Sequence, residues 1–199
     1  MFWFPEKPLR IYSVDKVPKD YVMQVKKDGW RIETTNINGK LELFNRYGDI
    51  ITCAYESDWK WIEEIFGKGF YLDGEVIGQR QAGILTDTIV VWDLLYYDLI
   101  GMHKLSYSDR YNKLHTFSSG KTVVHPKAFG TELIDKHNGF NLLLTKTYSF
   151  NEFPEVWKRL EIDSKYDEGV VFKNGKAPLK WSLSGTVKTA NQLKLKIRE

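Results

Sequence analysis

The sequence predicts an α+β fold built from two mainly antiparallel sheets with flanking helices. Segments rich in β-branched and aromatic residues outnumber helical patterns and are interspersed with them irregularly. The dipeptide Asn38-Gly39 separates two of these segments and is typical of a hairpin turn. These observations favour antiparallel sheets over a parallel, doubly wound sheet. No repeat or linker divides the 199 residues, so residues 1–199 are predicted to form a single domain.

The predicted strands are the segments dominated by β-branched, aromatic and leucine residues. In chain order they are 21–25, 31–36, 40–44, 71–78, 88–96, 142–147 and 169–172. The most apolar run, residues 84–100, contains three aspartates, which excludes a membrane span and predicts a buried strand. Leu193-Lys194-Leu195-Lys196 alternates, which places both lysines on one face of a strand.

Three helices are predicted, each opened by a residue that can cap a helix N-terminus. They cover residues 58–66 after Ser57, residues 109–117 after Ser108, and a segment from Asn151 to about Ile162. Gly67 is expected to end the first helix, because glycine readily adopts the left-handed conformation found there. Pro154 is tolerated in the first turn of the third helix.

The charge of the chain is unevenly distributed. The net charge is only +3, but residues 172–199 carry seven basic side chains against one acidic side chain. Such a segment favours a phosphate or nucleic-acid partner, although a solvated surface has the same composition. The single cysteine, Cys53, cannot form a disulfide within the chain, and the N-terminal residues lack the pattern of a signal peptide. We therefore expect a monomer in the cytoplasm, or in the nucleoid or nucleus, with no membrane partner.

One short motif indicates a nucleophile. Lys26-Lys27-Asp28-Gly29-Trp30-Arg31 follows the predicted strand 21–25 directly. A lysine at this position can attack the α-phosphate of a nucleotide while the arginine binds its charge. An ordinary hairpin turn flanked by solvated basic residues would have the same pattern.

Five further motifs follow in order and add the other groups such a reaction needs. They are Leu43-Phe44-Asn45-Arg46-Tyr47-Gly48, Leu72-Asp73-Gly74-Glu75-Val76, Val91-Trp92-Asp93-Leu94-Leu95, Asp167-Glu168-Gly169-Val170-Val171-Phe172-Lys173 and Leu193-Lys194-Leu195-Lys196. Each alone could be a turn, a core strand or a solvated face. Together they supply phosphate-binding cations, two glutamates for ribose hydroxyls or a hard metal ion, and an aromatic face for a base.

This series of motifs resembles the adenylation (nucleotidyltransferase) domain of ATP-dependent polynucleotide ligases, a superfamily that includes RNA ligases and mRNA-capping enzymes. The resemblance extends from about Val22 to Ile197 and covers motifs I, III, IIIa, IV and V of that family. It implies an ATP-grasp-like nucleotidyltransferase domain. Because three residues follow Lys196, we expect no OB fold after it, and therefore inefficient sealing by the chain alone.

The resemblance also implies a role for each matching residue. Lys26 would carry the covalent AMP, with Arg31, Lys194 and Lys196 as its catalytic partners. The implied nucleotide-binding residues are Val25, Gln24 for adenine, Trp92 for stacking on it, Glu75 for the ribose, Arg31 and Arg46 for nucleotide or nucleic-acid phosphates, and Lys194 and Lys196 for the α-phosphate. Glu168 and Glu75 would hold Mg²⁺.

ATP is therefore the expected adenylate donor, and nicked DNA or RNA ends are the expected partners. Only 25 residues precede Lys26, which argues against the upstream domain associated with NAD-dependent ligases. The departures are Gln24, where DNA ligases often have glutamate, and Leu193, where motif V has tryptophan. Besides a DNA ligase, the sequence leaves open an RNA ligase and a non-catalytic nucleotide- or nucleic-acid-binding module.

Overall fold

A computed structural model describes residues 2–51, 59–77, 87–120, 129–163, 165–185 and 187–197. The strands in these residues are β1 (Phe4–Pro5), β2 (Lys7–Arg10), β3 (Tyr21–Lys27), β4 (Gly29–Thr35), β5 (Glu42–Asn45), β6 (Tyr71–Ile77), β7 (Thr88–Tyr97), β8 (Ile100–Gly101), β9 (Thr131–His137), β10 (Phe140–Thr145), β11 (Asp167–Asn174), β12 (Trp181–Ser182) and β13 (Lys188–Lys196). The helices are α1 (Ile62–Phe66), α2 (Tyr107–His115) and α3 (Phe153–Ile162).

The predicted α+β class with two mainly antiparallel sheets is confirmed. The large sheet has the order β5-β4-β6-β7-β10-β9, with β8 paired to β7, and the small sheet has the order β2-β13-β11-β3. Neighbouring strands are antiparallel except for β7 with β10 and β2 with β13. The sequence did not predict the third sheet, in which β1 pairs with β12. The described residues contain no OB fold.

Each main sheet packs helices against an apolar face. The large sheet and helices α1 and α2 share one core, which includes Ile32, Leu72, Val91 and Leu114. The small sheet and α3 share a second core, which includes Met23, Val170, Phe172 and Leu160. Polar faces of the two sheets are left to line a cleft between them.

The chain crosses between the two sheets within a single residue. Strand β3 ends at Lys27 in the small sheet and β4 begins at Gly29 in the large sheet, so Asp28 alone connects them. A Cβ atom on Gly29 would lie 2.2 Å from the carbonyl oxygen of Val76, which leaves space only for glycine. The Asp-Gly dipeptide therefore forms a junction between sheets and not a hairpin turn.

The helices differ from the prediction at their N-termini. Helix α2 begins two residues earlier than predicted, and its cap is Ser106, whose Oγ accepts the backbone N–H of Asp109 at 3.1 Å. The prediction of Ser108 as the cap was wrong, because the earlier start buries Tyr107 and Arg110. Gly67 ends α1 as predicted, with φ of +73°. Four positions named in the sequence analysis lie outside the described residues: Cys53, the predicted helix cap Ser57, the predicted helix start at residue 58 and the predicted strand end at residue 78.

A short 3-10 turn, Phe150–Glu152, precedes α3 where the prediction had continuous helix. Ser149 and Glu152 form a reciprocal capping box there, which satisfies backbone N–H groups before the α-helix begins at Phe153. Pro154 lies in the first turn of α3, as predicted. No helix of the described residues is long and apolar enough to cross a membrane.

Candidate active site

A cleft of about 670 Å³ between the large and small sheets contains all ten predicted site residues. The small sheet contributes six of them from β3, β11 and β13, the large sheet contributes three from β4, β6 and β7, and Arg46 follows β5. The ten are Gln24, Val25, Lys26, Arg31, Arg46, Glu75, Trp92, Glu168, Lys194 and Lys196. The structure thus brings the predicted residues together, while their individual roles stay predictions.

Lys26 and Glu168 form an ion pair in the cleft. The Lys26 Nζ lies 2.7 Å from Glu168 Oε2, and the Lys196 Nζ lies 2.8 Å from the same oxygen. Glu168 reaches this position because β11 has a register shift between Asp167 and Gly169, which redirects one side chain. Burial would raise the pKa of Glu168, but the hydrogen bonds from Lys196 and Lys26 hold it at about 2.

Strand β13 confirms the predicted alternation. Lys194 and Lys196 line the cleft, whereas Leu193 and Leu195 pack into the core of the small sheet. Leu193 thereby occupies a purely structural position. Burial and the neighbouring charges of Lys26 and Lys196 lower the pKa of Lys194. This part of the cleft concentrates three amines around one carboxylate, an arrangement suited to binding a phosphate.

Arg31 lines the cleft but is already paired with carboxylates. Its guanidinium donates to both carboxylate oxygens of Asp73, at 2.8 and 2.5 Å, and lies 3.3 Å from Glu33. Burial alone would lower the pKa of Arg31, but these carboxylates raise it. Asp73 was missed as a candidate, although it belongs to the quoted motif Leu72-Asp73-Gly74-Glu75-Val76.

Glu75 faces Arg31 across the ladder between β4 and β6. Burial raises the pKa of Glu75 to about 7, against its ordinary value of 4.5, and the charge of Glu168 adds to this effect. The pKa values of the two cleft glutamates, Glu75 and Glu168, are therefore shifted in opposite directions. Such separation is typical of sites that bind or transfer charge.

Buried polar groups without a hydrogen-bond partner also line the cleft. The Gln24 amide nitrogen donates to the carbonyl oxygen of Thr145 at 3.3 Å. Within the part of the chain that the structure describes, Thr145 Oγ1 and Lys173 Nζ are buried without a hydrogen-bond partner, although both residues line the cleft. Trp92 lines the same cleft. An aromatic ring beside unsatisfied donors and acceptors can bind a heterocyclic base.

Lys173 is a cleft residue that the sequence reasoning missed. Its Nζ lies 4.4 Å from the centre of the Tyr107 ring, and burial lowers its pKa to about 8. The Tyr107 hydroxyl donates to the carbonyl oxygen of Trp92 at 3.4 Å, which places Lys173 near the aromatic wall. Its position at the end of the motif Asp167–Lys173 was a signal that could have identified it.

Lys27, beside the predicted nucleophile, has a structural role. Its Nζ lies 2.7 Å from Asp167 Oδ1, and both side chains are almost fully buried. It also donates to the carbonyl oxygen of Phe129. Burial lowers the pKa of Lys27, while Asp167 opposes that effect. Removing one partner of such a pair leaves a buried charge uncompensated and costs roughly 3–5 kcal/mol.

The two cleft glutamates, Glu75 and Glu168, could bind a magnesium ion but do not form a site in which protein side chains supply most of the ligands. No group of three or more metal-binding side chains occurs among the described residues. Glu75 and Glu168 both line the cleft, and their mutual repulsion contributes to the raised pKa of Glu75. Two carboxylates suit Mg²⁺, which commonly completes its shell with water and substrate phosphates.

Comparisons with known proteins identify structures of the same fold. No protein-family model and no curated protein sequence matches the chain. The ligase domain of LigD from M. tuberculosis superposes with a TM-score of 0.64 at 17% identity, covering 96% of this chain and 59% of that one. A mycobacterial DNA ligase D complexed with ATP and MES gives 0.64 at 16% identity, covering 97% and 60%. Chlorella virus DNA ligase-adenylate gives 0.60 at 17%, covering 96% and 67%.

These likenesses establish the architecture. The chain spans 59–60% of the length of the two mycobacterial ligase structures. Sequence identity is low throughout, so the comparison concerns the arrangement of strands and helices. The chain has the nucleotidyltransferase fold of DNA ligase catalytic domains.

Proposed function

We propose that this chain is the catalytic nucleotidyltransferase domain of an ATP-dependent DNA ligase. It would form a lysyl-AMP on Lys26 and transfer the AMP to a 5′-phosphate at a nick. The observation that carries the proposal is the single cleft that contains Lys26 together with the nine other predicted site residues. Ligases of the same fold that are described with ATP or as adenylates support the choice of nucleotide.

In the first step, the Lys26 Nζ attacks the α-phosphorus of ATP. A nitrogen–phosphorus bond forms, the bond from the α-phosphorus to the bridging oxygen breaks, and pyrophosphate leaves with that electron pair. The amine must be neutral to attack. The Lys26 amine therefore has to leave Glu168 and release a proton to water before it attacks, and Lys196, which contacts the same carboxylate oxygen, can still compensate the charge of Glu168.

The cleft can hold both ends of the nucleotide. Lys194 and Lys196 lie beside Lys26 and can bind the α-phosphate through charge-assisted hydrogen bonds. Trp92 offers a stacking surface for adenine, while the unpartnered Lys173 amine can donate to an acceptor on the base. Glu75 can accept hydrogen bonds from the ribose. Glu75 and Glu168 would hold Mg²⁺, whose charge offsets that of the phosphates.

Two transfers complete the proposed reaction. A 5′-phosphate oxygen attacks the α-phosphorus of lysyl-AMP and releases the Lys26 amine. A 3′-hydroxyl then attacks the 5′-phosphorus, forms the phosphodiester bond and expels AMP. The surrounding cations, including Arg46 at the exposed mouth of the cleft, would position these phosphates.

The test is transfer of radiolabel from α-labelled ATP to the protein in the presence of Mg²⁺. One AMP per chain is expected, and Lys26→Ala should abolish labelling because the nucleophile is absent. Lys19→Ala is the matched control, since Lys19 is exposed and outside the cleft. Lys27→Ala is unsuitable as a control because it breaks a buried ion pair.

Label that persists in Lys26→Ala would refute the assignment of the nucleophile. No label with ATP, GTP or NAD in the folded wild-type chain would favour a binding module without catalysis. Sealing of nicked DNA compared with nicked RNA then identifies the nucleic-acid substrate, and we expect DNA to be preferred.

A further inference from the structure

Strand β2 contributes a lysine to the cleft. It pairs in parallel with β13, with Lys7 opposite Lys188. Lys7 lines the cleft together with Arg46 and Tyr47, which follow β5 of the large sheet. The side chain of Lys7 is partly buried. The cleft thus has a cationic group beyond the amines around Lys26.

The backbone around Lys7 is fixed to both sheets. Its N–H donates to the carbonyl oxygen of Val187 at 2.8 Å, and the N–H of Glu6 donates to the backbone carbonyl oxygen of Lys180 at 2.8 Å. On the other side, the ring of Phe2 packs against Phe44 with 5.3 Å between ring centres. The backbone of Lys7 is therefore held at this position before any ligand binds, so that only the side chain has to be ordered on binding.

The charges around Lys7 are unbalanced. Within the described ranges, no carboxylate forms an ion pair with Lys7 or Arg46; Glu6 also lines the cleft, but its carboxylate accepts from the Thr189 hydroxyl, and the Arg46 guanidinium contacts the neutral Tyr47 side chain. Burial and the nearby charges of Arg31 and Arg46 lower the pKa of Lys7, with Lys188 adding to the effect. Like charges held together are unfavourable by themselves, and a bound anion would offset this repulsion.

The spacing fits a chain of phosphates. Arg10 lies three positions after Lys7 along β2, and it lies opposite Lys194 of β13. At the rise of an extended strand, Lys7 lies about 10 Å along the sheet from the level of Lys194. Two long side chains at this separation can bind different phosphates of one ligand.

We propose that Lys7 binds phosphate beside Arg46, whose phosphate contact the resemblance already implies, and that Lys7 thereby completes a second phosphate subsite, separate from the cluster of Lys26, Lys194 and Lys196. Its ligand is a phosphate beyond the α-phosphate: either the β- and γ-phosphates of ATP or a phosphodiester of the nucleic acid. The identification of these two sources rests on the proposed function, but the phosphate chemistry of the subsite does not.

Binding of inorganic tripolyphosphate, ATP and AMP to Lys7→Ala tests the subsite. For ATP as the source, tripolyphosphate and ATP should bind about tenfold more weakly, the effect of one lost charge-assisted hydrogen bond, while AMP affinity changes less than about twofold. Lys7→Arg should retain most of the affinity. Lys19→Ala is the control, and thermal melting verifies that each variant is folded.

A second arm measures binding of a nicked duplex over a series of salt concentrations. If the source is the nucleic acid, Lys7→Ala should reduce the slope of log affinity against log salt concentration by about 1, the loss of one phosphate contact. ATP binding should then be unchanged. Unchanged affinity for tripolyphosphate, ATP and duplex in folded Lys7→Ala would overturn the proposal. Lys7-dependent binding of tripolyphosphate in a wild-type chain that never becomes labelled would instead contradict only the proposed ligase function.

Discussion

The two cleft glutamates illustrate how position determines the charge of a residue. Two lysines hold the pKa of Glu168 at about 2, so this carboxylate is ionised at any working pH. Burial raises the pKa of Glu75 to about 7, so about half of it is protonated near neutral pH. Their proposed roles, metal binding for Glu168 and ribose binding for Glu75, should therefore respond differently to pH.

The raised pKa of Glu75 predicts a pH-dependent effect on stability. Because the folded state favours the protonated form, this stabilisation is fully present below pH 4.5 and is lost as the pH rises through about 7. Glu75→Gln mimics the protonated group and should be more stable than the wild type at pH 8, by about 2–3 kcal/mol, but not at pH 4.5. Urea unfolding at both pH values measures this, with the exposed Glu64→Gln as the control. A constant difference would contradict the prediction.

Trp92 is predicted to stack on adenine. Trp92→Ala should weaken ATP binding about tenfold or more, since stacking on an aromatic side chain contributes about 1–3 kcal/mol per base. Trp92→Phe should have a much smaller effect. As a control, Trp157→Ala removes a tryptophan that packs in the core of the small sheet, outside the cleft. It should reduce stability but not ATP affinity in titrations of folded protein, and the same result for Trp92→Ala would make Trp92 a core residue only.

At the scale of elements, the junction between β3 and β4 positions the site. It places Lys26 on the small sheet and Arg31 on the large sheet, on the two walls of the cleft. Gly29→Ala should destabilise the fold by at least about 2 kcal/mol, because the new Cβ would overlap the Val76 carbonyl and both strands are fixed in sheets.

Chemical denaturation measures this loss. In the control Gly175→Ala, the new Cβ meets only the Ser108 hydroxyl, which can rotate away. A Gly29→Ala variant as stable as Gly175→Ala would mean that the junction can relax.

Strand composition predicted most of the elements, and the misses have physical causes. Each predicted strand overlaps one of β3–β7, β10, β11 and β13, and in most of these strands buried β-branched, aromatic and leucine side chains dominate. Strand β9 was missed because Thr131–His137 is an edge strand with largely polar residues. Strands β1 and β12 have only two residues each, and tertiary pairing creates them.

The site was predictable only to the extent that its residues fall in recognisable motifs. The resemblance identified ten residues that share one cleft. Lys7 lies outside every motif. It lines the cleft because β2 pairs with β13, a strand about 180 residues later in the chain. Local sequence carries no signal for such a contact.

On the scale of the whole molecule, an aromatic cluster ties the chain together. Trp3 stacks on Trp181 with 4.3 Å between ring centres, and it also contacts Tyr71 and Tyr96 of the large sheet. Trp3→Ala should reduce the free energy of unfolding by about 3–5 kcal/mol, as expected for removal of a buried tryptophan, with Trp3→Phe losing less. Urea denaturation provides the measurement, and a loss below about 1 kcal/mol would show that the cluster is dispensable.

The small sheet draws its strands from residues 7–27 and 167–196, and all strands of the large sheet, β4 to β10, are encoded between these two segments. During translation, Lys26 therefore leaves the ribosome long before β11 and β13, which provide Glu168, Lys194 and Lys196. Pairings of such long sequence separation form slowly. Lys26, the proposed nucleophile, can acquire these neighbours only after the large sheet has been synthesised, so we expect a nascent or prematurely terminated chain to form no adduct with ATP.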